Sequence, residues 1–187
     1  MPEEVNRILT DHVSDLLFTT CTDGDANLFA EGVAPEHVHM VGNPMIDVLD
    51  RAVGAAKQRR VWRDYGLAPQ AYALVTLHRP ENVDSPAVLD CLLDAVGGIG
   101  QRLPVVFPMH PRTRRMFETR SSHHGSTPRD VIVVDPLGYL DFLSLMAASR
   151  LVVTDSGGVQ EEATALGVPC ITARTSTERP ITIREGT

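Results

Sequence analysis

The sequence predicts an α/β fold in which helices cover both faces of a parallel sheet. Two observations carry this prediction. Short β-rich runs alternate with longer helical segments along the 187 residues, and several of the β-rich runs are continuously apolar. A continuous apolar run is typical of a strand buried on both faces of a parallel sheet, whereas a half-exposed strand alternates. Right-handed helical crossovers are expected to connect such strands.

Seven strands are predicted from the apolar and β-branched runs. They are Leu16–Thr20, Val38–Val41, Ala71–Leu77, Val105–Pro108, Val131–Val134, Leu151–Thr154 and Pro169–Thr172. Helical patterns lie between most of them, as parallel pairing requires. No internal repeat or low-complexity tract interrupts the alternation.

Proline and capping residues mark the predicted helices. Asn43 offers an N-cap before Pro44 at the first helical position, and Ser85 before Pro86 repeats the signal. The glycines of 97–100 are expected to weaken the end of the second of these helices. The predicted helices span Pro44 to Arg63, Ala87 to Arg102, Arg112 to Arg120, Tyr139 to Ala148 and Val159 to Leu166.

Composition excludes several classes of protein. Seventeen Lys and Arg face 24 Asp and Glu, a net charge of −7, so the chain lacks the basic surface of a nucleic-acid-binding protein. An anionic ligand must therefore be held by local groups rather than by the overall field. Apolar residues make up 43%, which suffices for a core and is too many for a disordered chain.

The cysteines and the N-terminal sequence indicate the cellular compartment in which the protein is expected. Cys21, Cys91 and Cys170 form no CxxC pair, which argues against a disulfide scaffold and against a four-ligand zinc site. We expect no bound metal and a reducing, cytoplasmic location. The acidic start of the chain has no apolar signal region, and no run of 18 apolar residues occurs. We therefore expect neither a secretory signal nor a membrane partner.

The strongest local signal is the run Asp155–Glu162, which follows a predicted buried strand and opens a predicted helix. Free N–H groups and the positive end of the helix dipole suit an anion at such a point. Gly157 and Gly158 let the backbone approach a phosphate closely, and the Ser156 hydroxyl adds a donor. The run has neither the lysine of a Walker loop nor GxGxxG spacing.

Two glutamates lie one turn into this helix, where a carboxylate repels phosphate. We expect at least one of them to accept hydrogen bonds from sugar hydroxyls, as an acidic residue does for a ribose diol. Spacing alone leaves a second interpretation open. In that interpretation Asp155 is the N-cap, Glu161 and Glu162 only complement the helix dipole, and Gly167 ends the helix.

Two further motifs follow predicted strands. His78 and Arg79 come directly after Leu77, and His110 follows the strand that ends at Pro108. Ligands of open α/β sheets bind outside the carboxyl ends of the strands. There an imidazole can donate to a diphosphate or act as a general acid, and a guanidinium can bind phosphate bidentately. A single histidine after a strand more often has only a structural role. Because three motifs are predicted at the same sheet edge, a purely structural role is less favoured for these histidines.

Six motifs in a fixed order identify a family resemblance. They are Pro2–Arg7, Val41–Asp47, Thr76–Asn82, His110–Arg112, Asp155–Glu162 and Thr177–Pro180. Together they closely resemble the non-hydrolysing UDP-N-acetylglucosamine (UDP-GlcNAc) 2-epimerases. The resemblance implies the GT-B architecture, with two Rossmann-like domains, and the interconversion of UDP-GlcNAc and UDP-N-acetylmannosamine (UDP-ManNAc) for polysaccharide biosynthesis.

The resemblance also implies a mechanism. A base removes the C2 proton while UDP leaves C1, which gives 2-acetamidoglucal, and re-addition of UDP yields the epimer. This chemistry needs no metal, no nicotinamide and no other cofactor, because UDP itself is retained as the intermediate. It does need donors on the departing diphosphate, and loss of one such donor costs about 10²–10³ in rate.

By motif, the resemblance assigns roles to individual residues. Glu3 matches a catalytic carboxylate, and His78 matches the histidine that serves the diphosphate. The remaining positions match substrate-binding residues. They are Arg79, His110, Asp155, Ser156, Gly157, Gly158, Glu162, Glu178 and Arg179. In some bacterial members, Arg79 and His110 belong to a neighbouring allosteric site.

The chain departs from the family in length and at one position. It matches about half of a typical member, because three upstream motifs with a basic loop and two further carboxylates are missing, as are the closing helices. Ile181 stands where many members have glutamate. We expect residues 1–65 to be the end of the first domain with its linker. Residues 66–187 are expected to form most of the second, UDP-binding domain. The full-length family is expected to form homodimers.

Three functional hypotheses follow. The first is a UDP-GlcNAc 2-epimerase present as a partial chain, itself inactive. The second is a UDP-binding module without activity, because half of the acid and base groups are absent. The third is a GT-B glycosyltransferase, which shares the Gly-Gly turn and its glutamate but not the Thr76–Asn82 and Pro2–Arg7 motifs together.

Overall fold

The computed structural model describes residues 2–109, 111, 113–116, 130–177, 179–184 and 186. Contacts within the chain divide it into two compact units, Met1–Asp47 and Val48–Thr187.

The first unit is small and contains a two-stranded parallel sheet. Its elements are α1 (Pro2–Val13), β1 (Leu17–Thr19), α2 (Thr22–Ala30) and β2 (Val38–Met40), followed by the start of α3 (Pro44–Arg59). β1 pairs with β2 in the register Leu17 to Val38. Asn43 caps α3, since its Oδ1 accepts from the Met45 N–H at 3.0 Å.

One arginine ties the helices of the first unit together. Arg7 donates to Glu4 and Asp11 within α1, and its Nη2 donates to Oε1 of Glu31 at the end of α2, at 2.5 Å. This part of the Pro2–Arg7 motif therefore has a structural role within the unit.

The second unit carries a five-stranded sheet with helices on both faces. After the rest of α3, a 3₁₀ helix spans Val61–Tyr65. The further elements are β3 (Ala73–Thr76), α4 (Pro80–Val83), α5 (Pro86–Gly100), β4 (Val105–Pro108), β5 (Val131–Val134), α6 (Tyr139–Ala148), β6 (Leu151–Thr154), α7 (Gly157–Ala165), β7 (Cys170–Thr172) and α8 (Pro180–Arg184).

The strand order of this sheet is β5-β4-β3-β6-β7, and every pair is parallel. The first strand of the unit, β3, therefore lies in the middle. The chain winds outwards from it in one direction through β4 and β5, and in the other through β6 and β7. The point where the winding reverses, between β3 and β6, is where open α/β sheets bind ligands.

Alternate residues of the central strands face two separate cores. Leu74 and Val152 pack into a cluster with α3 and α6, while Val75 and Val153 pack into a cluster with residues of α5. All four are almost completely buried. This burial on both faces explains why the strands read as continuous apolar runs.

All seven predicted strands are present, each within its predicted run. The helix ends differ from the prediction. α3 ends at Arg59 rather than Arg63, because Arg60 takes a left-handed conformation with φ of 52°. α5 continues through its glycines to Gly100, where a Cβ atom would lie 3.3 Å from Cγ2 of Val131, so close packing favours glycine there.

Some elements were missed or cannot be compared. The short helices α2, α4 and α8 were not predicted. The predicted helix Arg112–Arg120 lies largely outside the described residues, although 113–116 are helical. The predicted domain division near residue 65 stays a prediction. Within the described parts of the chain, no helix is both long and apolar enough to span a bilayer.

We predict that the isolated chain self-associates through its first unit, because apolar side chains on that unit are exposed and a two-stranded sheet has two open edges. Phe18, on β1, is 64% exposed. Replacing Phe18 with Lys should lower the weight-average mass measured by concentration-dependent light scattering.

The matched control is Val88→Lys, at a 40% exposed apolar side chain of α5 in the second unit. This change should leave the association unchanged. A wild-type chain that stays monomeric at all concentrations and melts in one sharp transition would contradict the prediction.

Candidate functional site

The switch point of the sheet brings two of the predicted motifs side by side. Thr76 of β3 pairs with Thr154 of β6, so the residues that follow the two strands leave the same sheet edge together. His78 and Arg79 come from one strand and Asp155 from the other.

A single buried carboxylate joins these two segments. Asp155 is 0% exposed. Its oxygens accept from the backbone N–H of His78 at 3.0 Å and of Arg79 at 2.9 Å, and from the Asn82 side-chain amide at 3.0 Å. The same amide also donates to the Ala173 carbonyl at 2.9 Å, just beyond β7. Asp155 therefore fixes the turn after β3, and its predicted part in substrate binding stays a prediction.

The ionisation of Asp155 follows from these contacts. Burial on its own raises the pKa of the carboxyl group, but the hydrogen bonds from His78, Arg79 and Asn82 favour the charged form more strongly. The net pKa lies below the ordinary value of 3.8, so the group is a carboxylate at neutral pH.

Asp155 also orients the imidazole of His78. The Nδ1 atom of His78 lies 2.9 Å from Oδ1 of Asp155, and half of the histidine side chain is exposed. Donation from Nδ1 leaves Nε2 as the ring nitrogen that can meet a ligand. In the neutral ring Nε2 is then an acceptor, and it becomes a donor to an anion when the ring is the doubly protonated imidazolium.

The Gly-Gly turn is the first turn of α7 itself. The helix begins at Gly157, and its N-cap is Ser156, whose Oγ accepts from the Val159 N–H at 3.5 Å. The interpretation in which Asp155 is the N-cap is therefore wrong, because that carboxylate points back to β3. Gly157 and Gly158 present their N–H groups at the positive end of the helix, and the Ser156 hydroxyl proton is available to a ligand.

Glu162 lies one turn further along α7 and is 5% exposed. Its Oε1 accepts a 3.0 Å hydrogen bond from the hydroxyl of Tyr139, the first residue of α6. Burial raises the pKa of Glu162, and the bond from Tyr139 opposes that rise. Because the bond occupies only part of the carboxylate, its remaining lone pairs can accept hydrogen bonds from sugar hydroxyls.

The other polar residues of α7 hold the segment that follows β7. The Gln160 side chain donates to Thr182 at 2.6 Å and accepts from Thr177 at 3.0 Å. Glu161 pairs with Nε of Arg179 at 2.9 Å. The segment that contains the predicted residue Arg179 is thus attached to the same helix as the Gly-Gly turn.

The second unit brings most of the predicted residues together. His78, Arg79, Asp155, Ser156, Gly157, Gly158 and Glu162 lie at or next to the switch point, and Arg179 is tied to α7. Glu3 lies in α1, in the first unit. His110 and Glu178 lie outside the described residues.

Sequence reasoning did not single out three of the residues that shape the site. Asn82 lies inside a quoted motif, four residues after His78, and this spacing was the signal that could have drawn attention to it. Gln160 lies inside the Asp155–Glu162 motif and its partner Thr177 begins the Thr177–Pro180 motif, but only the folded chain shows that the two are paired. Tyr139 had no such signal, because it lies outside the motifs and its partner Glu162 is 23 positions away.

The family model described as UDP-N-acetylglucosamine 2-epimerase matches residues 1–187. The chain belongs to this family.

Three relatives illustrate the similarity within the UDP-GlcNAc 2-epimerase family. A UDP-N-acetylglucosamine 2-epimerase of Methanococcus maripaludis is 38% identical and matches 98% of this chain and 52% of its own length. A UDP-2,3-diacetamido-2,3-dideoxy-D-glucuronate 2-epimerase of Pseudomonas aeruginosa is 44% identical over 95% of this chain and 49% of its own length.

The third relative is a solved structure. The UDP-GlcNAc 2-epimerase of Methanocaldococcus jannaschii, in complex with UDP-GlcNAc and UDP, superimposes with a TM-score of 0.86 at 37% identity, over 98% of this chain and 52% of that one. The predicted fold class is confirmed: an α/β chain of GT-B type, mostly one Rossmann-like domain with the end of another. The chain spans about half the length of these relatives.

We predict that Asp155→Asn destabilises the second unit by about 2–4 kcal/mol, because an amide group replaces a buried acceptor of several N–H donors. Urea unfolding at neutral pH measures the loss. The matched control is Asp94→Asn, an exposed residue of α5, which should change stability by less than about 0.5 kcal/mol.

The pH dependence of stability should also differ between Asp155→Asn and the wild type. The folded pKa of Asp155 is lowered, so its stabilisation is complete above the ordinary pKa of 3.8 and is lost as the pH falls below it. The fall in stability towards acid pH should be shallower in Asp155→Asn than in the wild type. Equal slopes would show that the carboxylate is not stabilised by its donors.

Proposed function

We propose that this chain supplies the UDP-binding part of a UDP-GlcNAc 2-epimerase that interconverts UDP-GlcNAc and UDP-ManNAc. The observation that carries the proposal is the arrangement at the switch point. A helix start with free N–H groups lies beside a positioned histidine, and a buried carboxylate follows one turn later. The family and the two UDP-sugar relatives support the same reading.

The diphosphate is proposed to lie on the first turn of α7. The N–H groups of Gly157 and Gly158 and the hydroxyl of Ser156 donate to its oxygens. His78 in its imidazolium form adds Nε2–H as a further donor from the end of β3. Arg79 adds a positive charge on the same segment. These groups offset the net charge of −7 locally, as a dianionic ligand requires.

Glu162 is proposed to bind the ribose through its diol. A carboxylate that is already held by Tyr139 can accept from the 2′ and 3′ hydroxyls with little further loss of side-chain entropy. The distance of one helical turn from the phosphate site corresponds to the separation of the ribose from the diphosphate in a nucleotide.

The reaction is proposed to begin with elimination. A carboxylate, for which we propose Glu3 in the whole protein, takes the C2 proton. The electrons of the C–H bond form the C1=C2 double bond of 2-acetamidoglucal, and UDP leaves C1 with the bonding pair. Donors that stabilise the negative charge of the departing UDP lower the barrier most. Protonation of C2 from the opposite face and re-addition of UDP give the epimer, without a metal or other cofactor.

The remaining predictions stay part of this proposal. His110, Glu178 and Arg179 are proposed to contact the nucleotide sugar. Residues 1–65 are proposed to belong to the first domain and residues 66–187 to the second. We also propose that the whole protein is a cytoplasmic homodimer and that the 187-residue chain alone binds UDP without turnover.

A second substrate has specific support. The Pseudomonas aeruginosa relative, named for a diacetamido-glucuronate, is 44% identical, against 38% for the Methanococcus maripaludis relative. A 2-epimerase of such a uronate would use the same UDP site and the same elimination. Assays with both nucleotide sugars separate the two, whereas an acceptor-dependent transfer would instead indicate a glycosyltransferase.

We predict that Glu162→Ala weakens UDP binding by about 1.5–3 kcal/mol, or ten-fold and more, the scale of hydrogen bonds to a charged group. Isothermal titration calorimetry on the 187-residue chain measures the change. Asp94→Ala, an exposed carboxylate of α5, is the control and should bind UDP as the wild type does. Unchanged affinity in Glu162→Ala would remove Glu162 from the site.

We predict that His78→Ala slows turnover by about 10²–10³, the cost of losing one donor to a developing charge, and lowers stability by less than about 1 kcal/mol. The measurement is made on this chain fused to the first half of the Methanocaldococcus jannaschii relative. The C2 hydrogen of UDP-GlcNAc must exchange in deuterated water if elimination occurs.

Three outcomes of this experiment are informative. Exchange in the fusion but not in the 187-residue chain would support both the reaction and the need for the other half. A loss of melting temperature in His78→Ala that matches the loss of rate would indicate a structural histidine. UDP binding without any C2 exchange in the fusion would leave only a binding module.

A further inference from the structure

We propose that Tyr139 is a positioning residue that gives the nucleotide site its preference for ribose, by holding the Glu162 carboxylate where it meets the sugar hydroxyls. The inference rests on the proposed UDP site and deepens it. It concerns a residue on a different helix, α6, which neither the motifs nor the composition pointed to.

The contact itself crosses from one crossover helix to another. Tyr139 is the first residue of α6, which leads into β6, and Glu162 lies in α7, which leaves β6. Their side chains meet at 3.0 Å through the Tyr139 hydroxyl and Oε1. The two residues are 23 positions apart, so the pair forms only when β6 and both helices are packed.

Burial explains why the partner matters. Glu162 is 5% exposed, and a buried carboxylate without a donor carries a large desolvation cost. Among the described side chains, the Tyr139 hydroxyl donates a hydrogen bond to Oε1 of Glu162. The neighbouring Glu161 is paired with Arg179 and does not supply a donor. Tyr139 thus favours the charged form of Glu162, against the effect of burial on its pKa, and fixes one of its oxygens.

A held carboxylate distinguishes sugars better than a free one. With Oε1 bound to Tyr139, the orientation of the second oxygen is set before a ligand arrives, and preorganised acceptors discriminate more strongly against a missing hydroxyl. Tyr139 is also 42% exposed, so part of this residue is accessible to a ligand.

The test compares UDP with 2′-deoxy-UDP by titration calorimetry on the 187-residue chain. The wild type should bind UDP roughly ten-fold or more tightly than the deoxy analogue, the value of one hydrogen bond to a charged acceptor. In Tyr139→Phe this ratio should fall to roughly two- to three-fold, because the ring stays but the carboxylate is no longer held.

A double-mutant cycle separates an action through Glu162 from a direct contact. In a Glu162→Ala background, adding Tyr139→Phe should change UDP affinity by less than about two-fold. The control Tyr65→Phe removes a phenol from the 3₁₀ helix Val61–Tyr65. It should leave both affinities and their ratio unchanged. Because the Tyr139 side chain is partly exposed, we expect Tyr139→Phe to leave the fold intact. Thermal melting curves of the variant check this.

The outcomes distinguish this inference from the proposed function. If the wild type does not bind UDP, the proposed site and this inference both fail. If the wild type binds UDP but Tyr139→Phe keeps the full preference for ribose, only the inference is overturned. Equal losses from Tyr139→Phe with and without Glu162 would also overturn it, since they would show that Tyr139 acts independently.

Discussion

The carboxylate of Asp155 is the constraint on which the candidate site depends. β3 and β6 are hydrogen-bonded neighbours, and every residue beyond their ends could in principle diverge. Asp155 prevents this because it accepts from two successive backbone N–H groups after β3 and from the Asn82 amide. The same carboxylate sets the direction of the His78 ring, and Asp155 directly precedes Ser156, the N-cap of α7. If a solvated loop replaced this contact, the position of His78 relative to the start of α7 would not be fixed.

The site also shows how an acidic chain can present a binding surface for an anion. Three carboxylates lie within eight residues of one another, at positions 155, 161 and 162, and each is engaged by a different group. Asp155 is engaged by the β3 turn, Glu161 by Arg179, and Glu162 by Tyr139. None of the three partners belongs to α7, so the helix start keeps its own N–H groups. Local hydrogen-bond geometry therefore outweighs the net charge, because the donors are close to the site while the distant charges are screened.

Much of the second unit could be predicted from sequence because its signals are local. Buried parallel strands such as Leu151–Thr154 carry their own apolar signature, and Pro86 and Gly167 mark helix ends by backbone geometry alone. What could not be predicted depends on pairs distant in sequence. From the sequence alone, Asp155 can be interpreted either as a helix N-cap or as a residue that contacts a ligand. Its contacts with the turn after β3 become visible only in the folded chain. Tyr139 reads as an ordinary helix residue until α6 and α7 are packed. Short helices such as α4, four residues long, have too few residues for a periodic pattern.

The groups that we propose for nucleotide binding lie in the second unit, whereas the group that we propose for proton transfer lies in the first. The second unit has five paired strands, with apolar clusters on both faces of its sheet, and it holds the phosphate and ribose groups of the proposed site on its own elements. The first unit has two strands and exposes Phe18 and Met40. Nucleotide affinity should thus be a property of the second unit, because each donor and acceptor proposed for the diphosphate and the ribose is fixed by contacts within it. Glu3, the carboxylate that we propose takes the C2 proton, lies in the first unit. Conditions that loosen the first unit should therefore abolish turnover of the whole protein before they weaken its affinity for UDP.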